Sequence, residues 1–315
     1  MSSLSNWIVR LSRAGLGLAC VTLLAGCPEL HHVEVQMKAG SGGAAEGAAE
    51  ETEAAAVAGY GNLHGVLTLE GDVPAVKKLF SAGDASVKDS AICAAGDAID
   101  EGLIINPANK GIANAVIFLE KAPATIKPEL VEPPKDPAIF DQKACRFFPR
   151  VVAFRIGQPL MVLSDDPIPH NTHTDPKRNS TFNQTISPND RKGVECRYTK
   201  PEATPVKVVC DYHAWMKAYH FPVDHPYFAV TDADGKFKID GLPAGKHTFN
   251  VWHEAASGGF LERKVVVEIA VDGDTEKNLS YAPAKFAAVP APQPAVAYER
   301  LRQGGEIQVT QREKQ

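Results

Sequence analysis

The run Cys210-Asp211-Tyr212-His213-Ala214-Trp215-Met216 spaces a thiol, an imidazole and a thioether three residues apart, and a second imidazole, His170, stands upstream, followed by Asn171. One thiolate, two imidazoles and a thioether are the donor set of a mononuclear copper ion with three strong in-plane ligands and a weak axial sulfur. The soft sulfurs hold Cu(I), the imidazoles suit Cu(II), and a compromise geometry lets the ion change oxidation state with little rearrangement. With 6 Cys, 10 His and 4 Met in 315 residues, the Cys-x2-His-x2-Met spacing should arise by chance on the order of 0.002 times. His170, Cys210, His213 and Met216 are therefore the candidate ligands. Four side chains close the coordination sphere, so one such ion moves single electrons and makes no bonds to a substrate.

The spacing requires particular elements. Val206-Lys207-Val208-Val209-Cys210 reads as a strand ending on the thiol, a tight turn presents His213, and Met216 opens the next strand. His170 must come from a different strand. Upstream, Phe148 to Leu163 alternates as two strands broken at Gly157, and Ser164-Asp165-Asp166-Pro167-Ile168-Pro169 turns the chain into His170-Asn171. This run, over residues 140 to 225, resembles the cupredoxins, especially the amicyanin and plastocyanin type. The resemblance implies a Greek-key β-sandwich with one type 1 copper ion, held by His170, Cys210, His213 and Met216. On this reading Asn171 offers a backbone hydrogen bond to the thiolate, which would raise the potential. His213 would lie near the surface beside Trp215 as the electron port. Ser164 departs from the pattern, which has Asn before the turn; that touches strand-end hydrogen bonding, not the metal.

Other metal chemistries fit less well. A two-copper centre needs two bridging thiolates, a trinuclear cluster needs paired His-x-His motifs, and structural zinc needs a second Cys or His pair. No Cys-x-x-Cys-His occurs for covalent haem. Catalytic motifs are missing too: there is no Gly-x-Ser-x-Gly elbow, zincin helix or phosphate loop. The sequence reads as a carrier or binding protein, not an enzyme.

The first 26 residues carry Arg10 and Arg13, then an apolar stretch from Ala14 to Ala25 that is too short to span a bilayer. Leu24-Ala25-Gly26-Cys27 resembles the lipobox of bacterial lipoproteins, so Cys27 is the expected acylation site. This implies a lipid-anchored protein of the bacterial cell envelope. Pro28, where Asp would signal inner-membrane retention, favours the outer membrane, facing the periplasm or cell surface. Residues 27–59 are mostly Ala, Gly and Glu and read as a flexible tether. Residues 283–315 run through Ala-Pro repeats and are expected to be extended and largely disordered. Losing residues 1–26 removes two positive charges and no negative one, taking the formal net charge from −5 to −7. An acidic globule does not suit nucleic acid. It suits a basic redox partner, such as a cytochrome c or a dehydrogenase.

Of the six cysteines, Cys20 leaves with the leader, Cys27 is the anchor and Cys210 is committed to metal. Cys93, Cys145 and Cys196 remain. The segments of Cys93 and Cys145 both flank strands, which favours that pair, with Cys145–Cys196 as the alternative.

A second β unit surrounds the first. Asn62 to Gly71 alternates as a strand, and Leu103-Ile104-Ile105 and Ala115 to Leu119 follow as two more. Beyond the Cys210 loop, Phe228 to Ile239 reads as a hairpin on a Gly turn, and strands continue to His253 and over Lys264 to Ile269. The pattern Thr231-Asp232-x-Asp234-Gly235-x-Phe237-x-Ile239-x-Gly241-Leu242-Pro243-x-Gly245 resembles the transthyretin-like sandwich called carboxypeptidase regulatory-like, also found as the middle domain of rhamnogalacturonan lyases. Asp232 and Asp234 lack the further oxygens of a calcium loop. Trp252-His253-Glu254 reads as structural, because neighbours on a strand face opposite ways.

The expected organisation is all-β. A transthyretin-like sandwich in two parts (60–125 and 226–282) encloses or flanks a cupredoxin-like domain (126–225). The expected function is one-electron transfer. Its rival is a non-redox envelope module that grips polysaccharide, with the copper domain serving as a store or a vestige.

Overall fold

Along Tyr60–Leu69 buried and half-buried positions alternate, with Leu63, Leu67 and Leu69 turned inward, the period-two pattern of a sheet with one solvated face. Gly65 also faces inward. A Cβ there would stand 2.0 Å from the Lys277 carbonyl oxygen, so only glycine lets the returning chain cross this strand closely. In the computed structural model, which describes residues 59–287, this strand sits between Lys236–Pro243 and Asp274–Glu276, and Leu279–Tyr281 pairs with its far end. A second sheet orders Phe228–Val230, Val116–Leu119, Gly245–Trp252 and Phe260–Ile269. Leu63, Leu67 and Ile239 from the first sheet meet Ile117, Phe249, Val251 and Leu261 from the second in one core.

Residues 138–223 form a second pair of sheets. Five strands run in the order Asn183–Ile186, His170–Asp175, Val206–Val209, Lys217–Val223 and Val151–Arg155, the last two parallel. Opposite them lie Val194–Glu195, Leu160–Val162, Ala138–Lys143 and Arg146–Phe148. Phe140, Leu160 and Val162 pack against Phe154, Val206, Val208 and Ala218 between the layers. The described chain is thus all-β, apart from one helical turn at Ser90–Cys93 and three 3-10 turns. No helix among the described residues is long and apolar enough to cross a membrane.

Strands buried on both faces join the two pairs of sheets. Val116–Leu119 is buried at all four positions, because its outer face meets the outer face of Lys217–Val223. Phe118 lies edge-on to Phe221 at 4.7 Å, and Tyr219 edge-on to Trp252 at 4.9 Å. Beside them Arg150 Nε and Nη2 donate to the two carboxylate oxygens of Glu254 at 2.7 and 2.8 Å.

Two histidines are buried without charge. His220 lies among Phe140, Phe154 and Tyr198; its Nδ1 is 3.1 Å from the Tyr198 hydroxyl, and its Nε2 has no hydrogen-bond partner among the described residues. Burial pushes the His220 imidazole down to about 3, and burial likewise pushes His253, on the Ala113 carbonyl, down to about 4. The unfolded chain protonates both near 6.5, so their contribution is complete above that pH and is lost as pH falls from 6.5 towards the folded values. Each costs about 1.4 kcal/mol per pH unit in that window. His220→Phe is therefore expected to remove about 2 kcal/mol of the stability lost between pH 6.5 and 5. Denaturant unfolding of both proteins at the two pH values measures this, and equal losses would refute it.

Three expectations need correction. Phe228–Val230 and Lys236–Pro243 do not form a hairpin: the first pairs with Val116–Leu119 and the second with Tyr60–Leu69. The turn at Asp232–Gly235 carries the chain from one layer to the other, with Gly235 N–H on the Asp232 carbonyl and Gly235 at φ 77°. Leu103-Ile104-Ile105 is no strand; Ile105 makes one isolated bridge to Ile112, and the Asn106–Lys110 turn takes up its neighbours. The chain from Pro283 is packed as far as it is described, because Phe286 is buried on the terminal core and bridges Ala256. Cys27, the 1–26 leader, the tether up to residue 58 and the tail from 288 lie outside the described residues.

Candidate metal centre

Val206–Val209 and Lys217–Val223 are antiparallel neighbours, and Cys210 to Met216 is the loop that joins them. Cys210 N–H donates to the Met216 carbonyl at 3.3 Å and Met216 N–H to the His213 carbonyl at 2.9 Å, which folds the seven residues into a tight bend. On the other side of Val206–Val209 runs His170–Asp175, in register as His173 opposite Val209. Three residues on, His170 comes level with the loop. The antiparallel register therefore brings His170 to residues forty or more positions away.

The donors converge. His170 Nδ1 lies 3.0 Å from His213 Nδ1, and Cys210 Sγ lies 3.7 Å from His213 Nδ1. All three ligand atoms fall within 4.8 Å of one another. The three side chains are essentially inaccessible, and Met216 is buried in the same core. Asn171 N–H donates to Cys210 Sγ at 3.3 Å, and the Asn171 side-chain oxygen accepts the Asp211 N–H at 2.9 Å, which ties strand to loop. Ser164 Oγ accepts the Asp166 N–H in the turn leading to His170.

Both outer imidazole nitrogens end on carboxylates. His170 Nε2 is 2.7 Å from Asp166, and His213 Nε2 is 2.9 Å from Asp89. Asp166 also accepts the N–H groups of Ala144 and Cys145 at 2.6 and 2.8 Å. Burial would raise the Asp166 carboxyl, but the His170 ring and these two N–H groups outweigh it and hold it below the usual range. Burial likewise pulls His170 down, yet the Asp166 carboxylate and the Cys210 sulfur leave it raised to about 9. For Cys210, burial pushes the thiol up, and hydrogen bonds from His170, His213 and the Asn171 and Tyr212 amides bring it down to about 6. The group is thus poised as a thiolate, the form a metal binds.

The expectation that His213 lies near the surface fails, because its side chain is 0% exposed. Residues 78–99 cover it: Lys78–Phe80 pairs with Ala98–Ile99, and between them sits the short helix Ser90–Cys93. Cys93 is joined to Cys145, leaving Cys196 and Cys210 as the free thiols among the described residues. Phe80 meets Trp215 edge-on at 5.0 Å, and the Trp215 ring N–H donates to the Cys145 carbonyl. Asp89 and Asp166 were not singled out from sequence. Asp166 stands four residues before His170 in a Pro-rich turn, a usable cue; Asp89 is 124 positions from His213 and leaves no local trace.

Cys210, His170 and Asp166 also line up as nucleophile, base and orienting carboxylate would. Cys210, however, is only 1% exposed, so its sulfur is not open to solvent. The neighbouring cavity of about 180 Å³ is lined by Trp215, Met216, Glu101, Arg146 and Arg150, and Cys210 is not among its walls. The arrangement has the size and donors to accommodate an ion. One soft thiolate and two imidazoles with carboxylates on their outer nitrogens fit copper.

Among solved structures, parts of the chain are similar to a copper-containing nitrite reductase from Thermus scotoductus, at 16% identity and TM-score 0.27 over 32% of this chain and 27% of that one. A purple cupredoxin from Nitrosopumilus maritimus is similar at 17% identity and TM-score 0.23, over 27% of this chain and 99% of that one. Amicyanin from Paracoccus versutus is similar at 12% identity and TM-score 0.25, over 34% and 97%. No protein-family model matches the sequence, and no curated protein matches it.

Proposed function

We propose that the chain is a one-electron carrier built on a single copper ion held by His170, Cys210, His213 and Met216. The observation that supports this most is the convergence of two Nδ1 atoms on a thiolate that also receives a backbone N–H. When bound, the copper supplies a one-electron couple between Cu(I) and Cu(II). The chain's own residues do the rest. Carboxylates meet the outer nitrogens of both imidazoles and leave Nδ1 inward, Asn171 N–H stabilises charge on Sγ, and the two β-layers exclude water. Rigidity limits rearrangement between oxidation states, because the donors lie at the start of one strand and in a hydrogen-bonded loop that joins two others, rather than on a free segment. Met216, buried in the same core just before Lys217–Val223, would be the weak fourth ligand that tunes the couple.

The site is carried by a protein that we read as tethered through lipid on Cys27 to the bacterial envelope, in the oxidising compartment that a Cys93–Cys145 disulfide suits. Its net negative charge favours a basic redox partner, such as a cytochrome c or a dehydrogenase. The fixed four-donor set gives no role for an exchangeable substrate, so the protein passes electrons without catalysing a bond change. Adding Cu(II) to metal-free protein is expected to develop an intense blue thiolate-to-copper absorption that saturates at one equivalent. Binding without that absorption, with Cys210 shown to be unoxidised, would overturn the reading.

A further inference from the structure

Asp89 occupies the position just before the helix Ser90–Cys93, where an aspartate ordinarily bonds its own helix's free N–H groups. It makes no such bond. Its backbone is left-handed, at φ 53° and ψ 41°, and its carboxylate is turned to His213 Nε2 instead. Strained backbone at a non-glycine residue persists where the surroundings over-determine it. Here they do. Cys93 N–H donates to the Asp89 carbonyl at 2.9 Å, and the Cys93 side chain is bonded to Cys145. Cys145 N–H in turn donates to Asp166, the carboxylate on His170. The two outer carboxylates are thus linked to each other through one disulfide. The covering segment also grips the metal loop directly, through Phe80 on Trp215 and the Lys88 ammonium over the Tyr212 ring at 5.1 Å.

We propose that Asp89 is a positioning residue of the metal centre, delivered by the disulfide-held segment 78–99, which fixes the His213 tautomer and sets how readily the bound metal is reduced. The inference rests on the copper reading above and deepens it. His213 is sealed, while the Asp89 side chain is 39% exposed, so the carboxylate is the solvent-facing end of that ligand. A negative charge on the outer N–H makes the imidazole a stronger donor and favours the higher oxidation state.

The test has a metal-bound and a metal-free arm. In copper-loaded protein, Asp89→Asn keeps an acceptor but loses the charge, and is expected to shift the oxidised-to-reduced equilibrium about tenfold towards the reduced form, a rise of about 59 mV. Asp89→Ala should also weaken copper binding by roughly 10- to 100-fold. In metal-free protein, the nitrogen chemical shifts of His213 should report one tautomer, with the proton on Nε2, and Asp89→Ala should leave a mixture. Unchanged potential and affinity in both variants would overturn the proposal. If the wild type shows no thiolate-to-copper absorption, the copper reading fails. The tautomer arm then decides Asp89 alone: a single tautomer lost in Asp89→Ala upholds positioning, and an unchanged pattern ends it.

Discussion

Cys210→Ser should lose the thiolate-to-copper absorption completely while its far-ultraviolet spectrum stays that of the wild type. The absorption belongs to the Cu(II)–thiolate bond, and Cys210 is the one thiol that reaches the two imidazoles; Cys196, the other free thiol among the described residues, is a separate buried group. Burial pushes the Cys196 thiol up to about 12, so it offers no thiolate at neutral pH. Serine nearly matches cysteine in volume and its oxygen can keep the Asn171 N–H, so the fold has no reason to change. Its hydroxyl does not ionise, and hard oxygen is a poor partner for Cu(I). Copper affinity should therefore fall by more than the roughly 10- to 100-fold seen for outer hydrogen-bond partners. Absorption titration and circular dichroism on the same samples check both halves. Persistent colour would move the site elsewhere in the chain.

Glu254→Ala should lower unfolding free energy by about 3–5 kcal/mol, the loss typical when a buried ion pair is broken by removing one partner. The Arg150 and Glu254 side chains are only 9% and 6% exposed, and the guanidinium meets the carboxylate through two nitrogens. Burial alone would lower Arg150, yet Glu254 and then Glu101 keep it raised, so the charge stays. Deleting Glu254 leaves that charge between the two pairs of sheets. Glu101, with an oxygen 3.9 Å from Arg150, can take over part of the role, which places the expectation towards the lower end. Replacing both partners, Arg150→Met with Glu254→Leu, should recover most of the loss, because the desolvation cost goes with the charges. Denaturant unfolding at neutral pH measures all three proteins. A single-variant loss below about 1 kcal/mol would mean that water reaches the guanidinium.

How much of this was legible beforehand depends on how far apart the interacting residues are. Cys210, His213 and Met216 lie within one loop, so their spacing alone implies a bend between two strands, and Val206–Val209 carries the alternation of the first of them. Likewise Gly157, at φ 92°, breaks the two strands that the pattern of Phe148 to Leu163 marks out. The all-β class follows from period-two alternation repeated along the chain. Strand existence is thus a local property. Sheet membership is not. Nothing in Phe228 to Ile239 says that its two arms bond to partners in different layers, because an Asp-Gly turn serves a hairpin and a layer crossing equally well.

The outer half of the candidate metal centre belongs to the second kind. His170 and Cys210 meet because the register of two neighbouring strands levels them, and the motif hinted at that. Asp89 meets His213 only because the covering segment is bonded at Cys93 to a turn that Asp166 grips. Sequence alone left two pairings open for Cys145, since connectivity depends on which loops come together. It also placed His213 at the surface, since an apolar neighbour such as Trp215 can line a port or seal a core. By itself the sequence determined the candidate donor atoms, their order along the chain and the strands beside them, each encoded within a few residues. Tertiary structure decided which carboxylates orient the imidazoles, which disulfide links them and that His213 is covered. Those contacts join segments that only the topology of two packed sandwiches brings within hydrogen-bond reach.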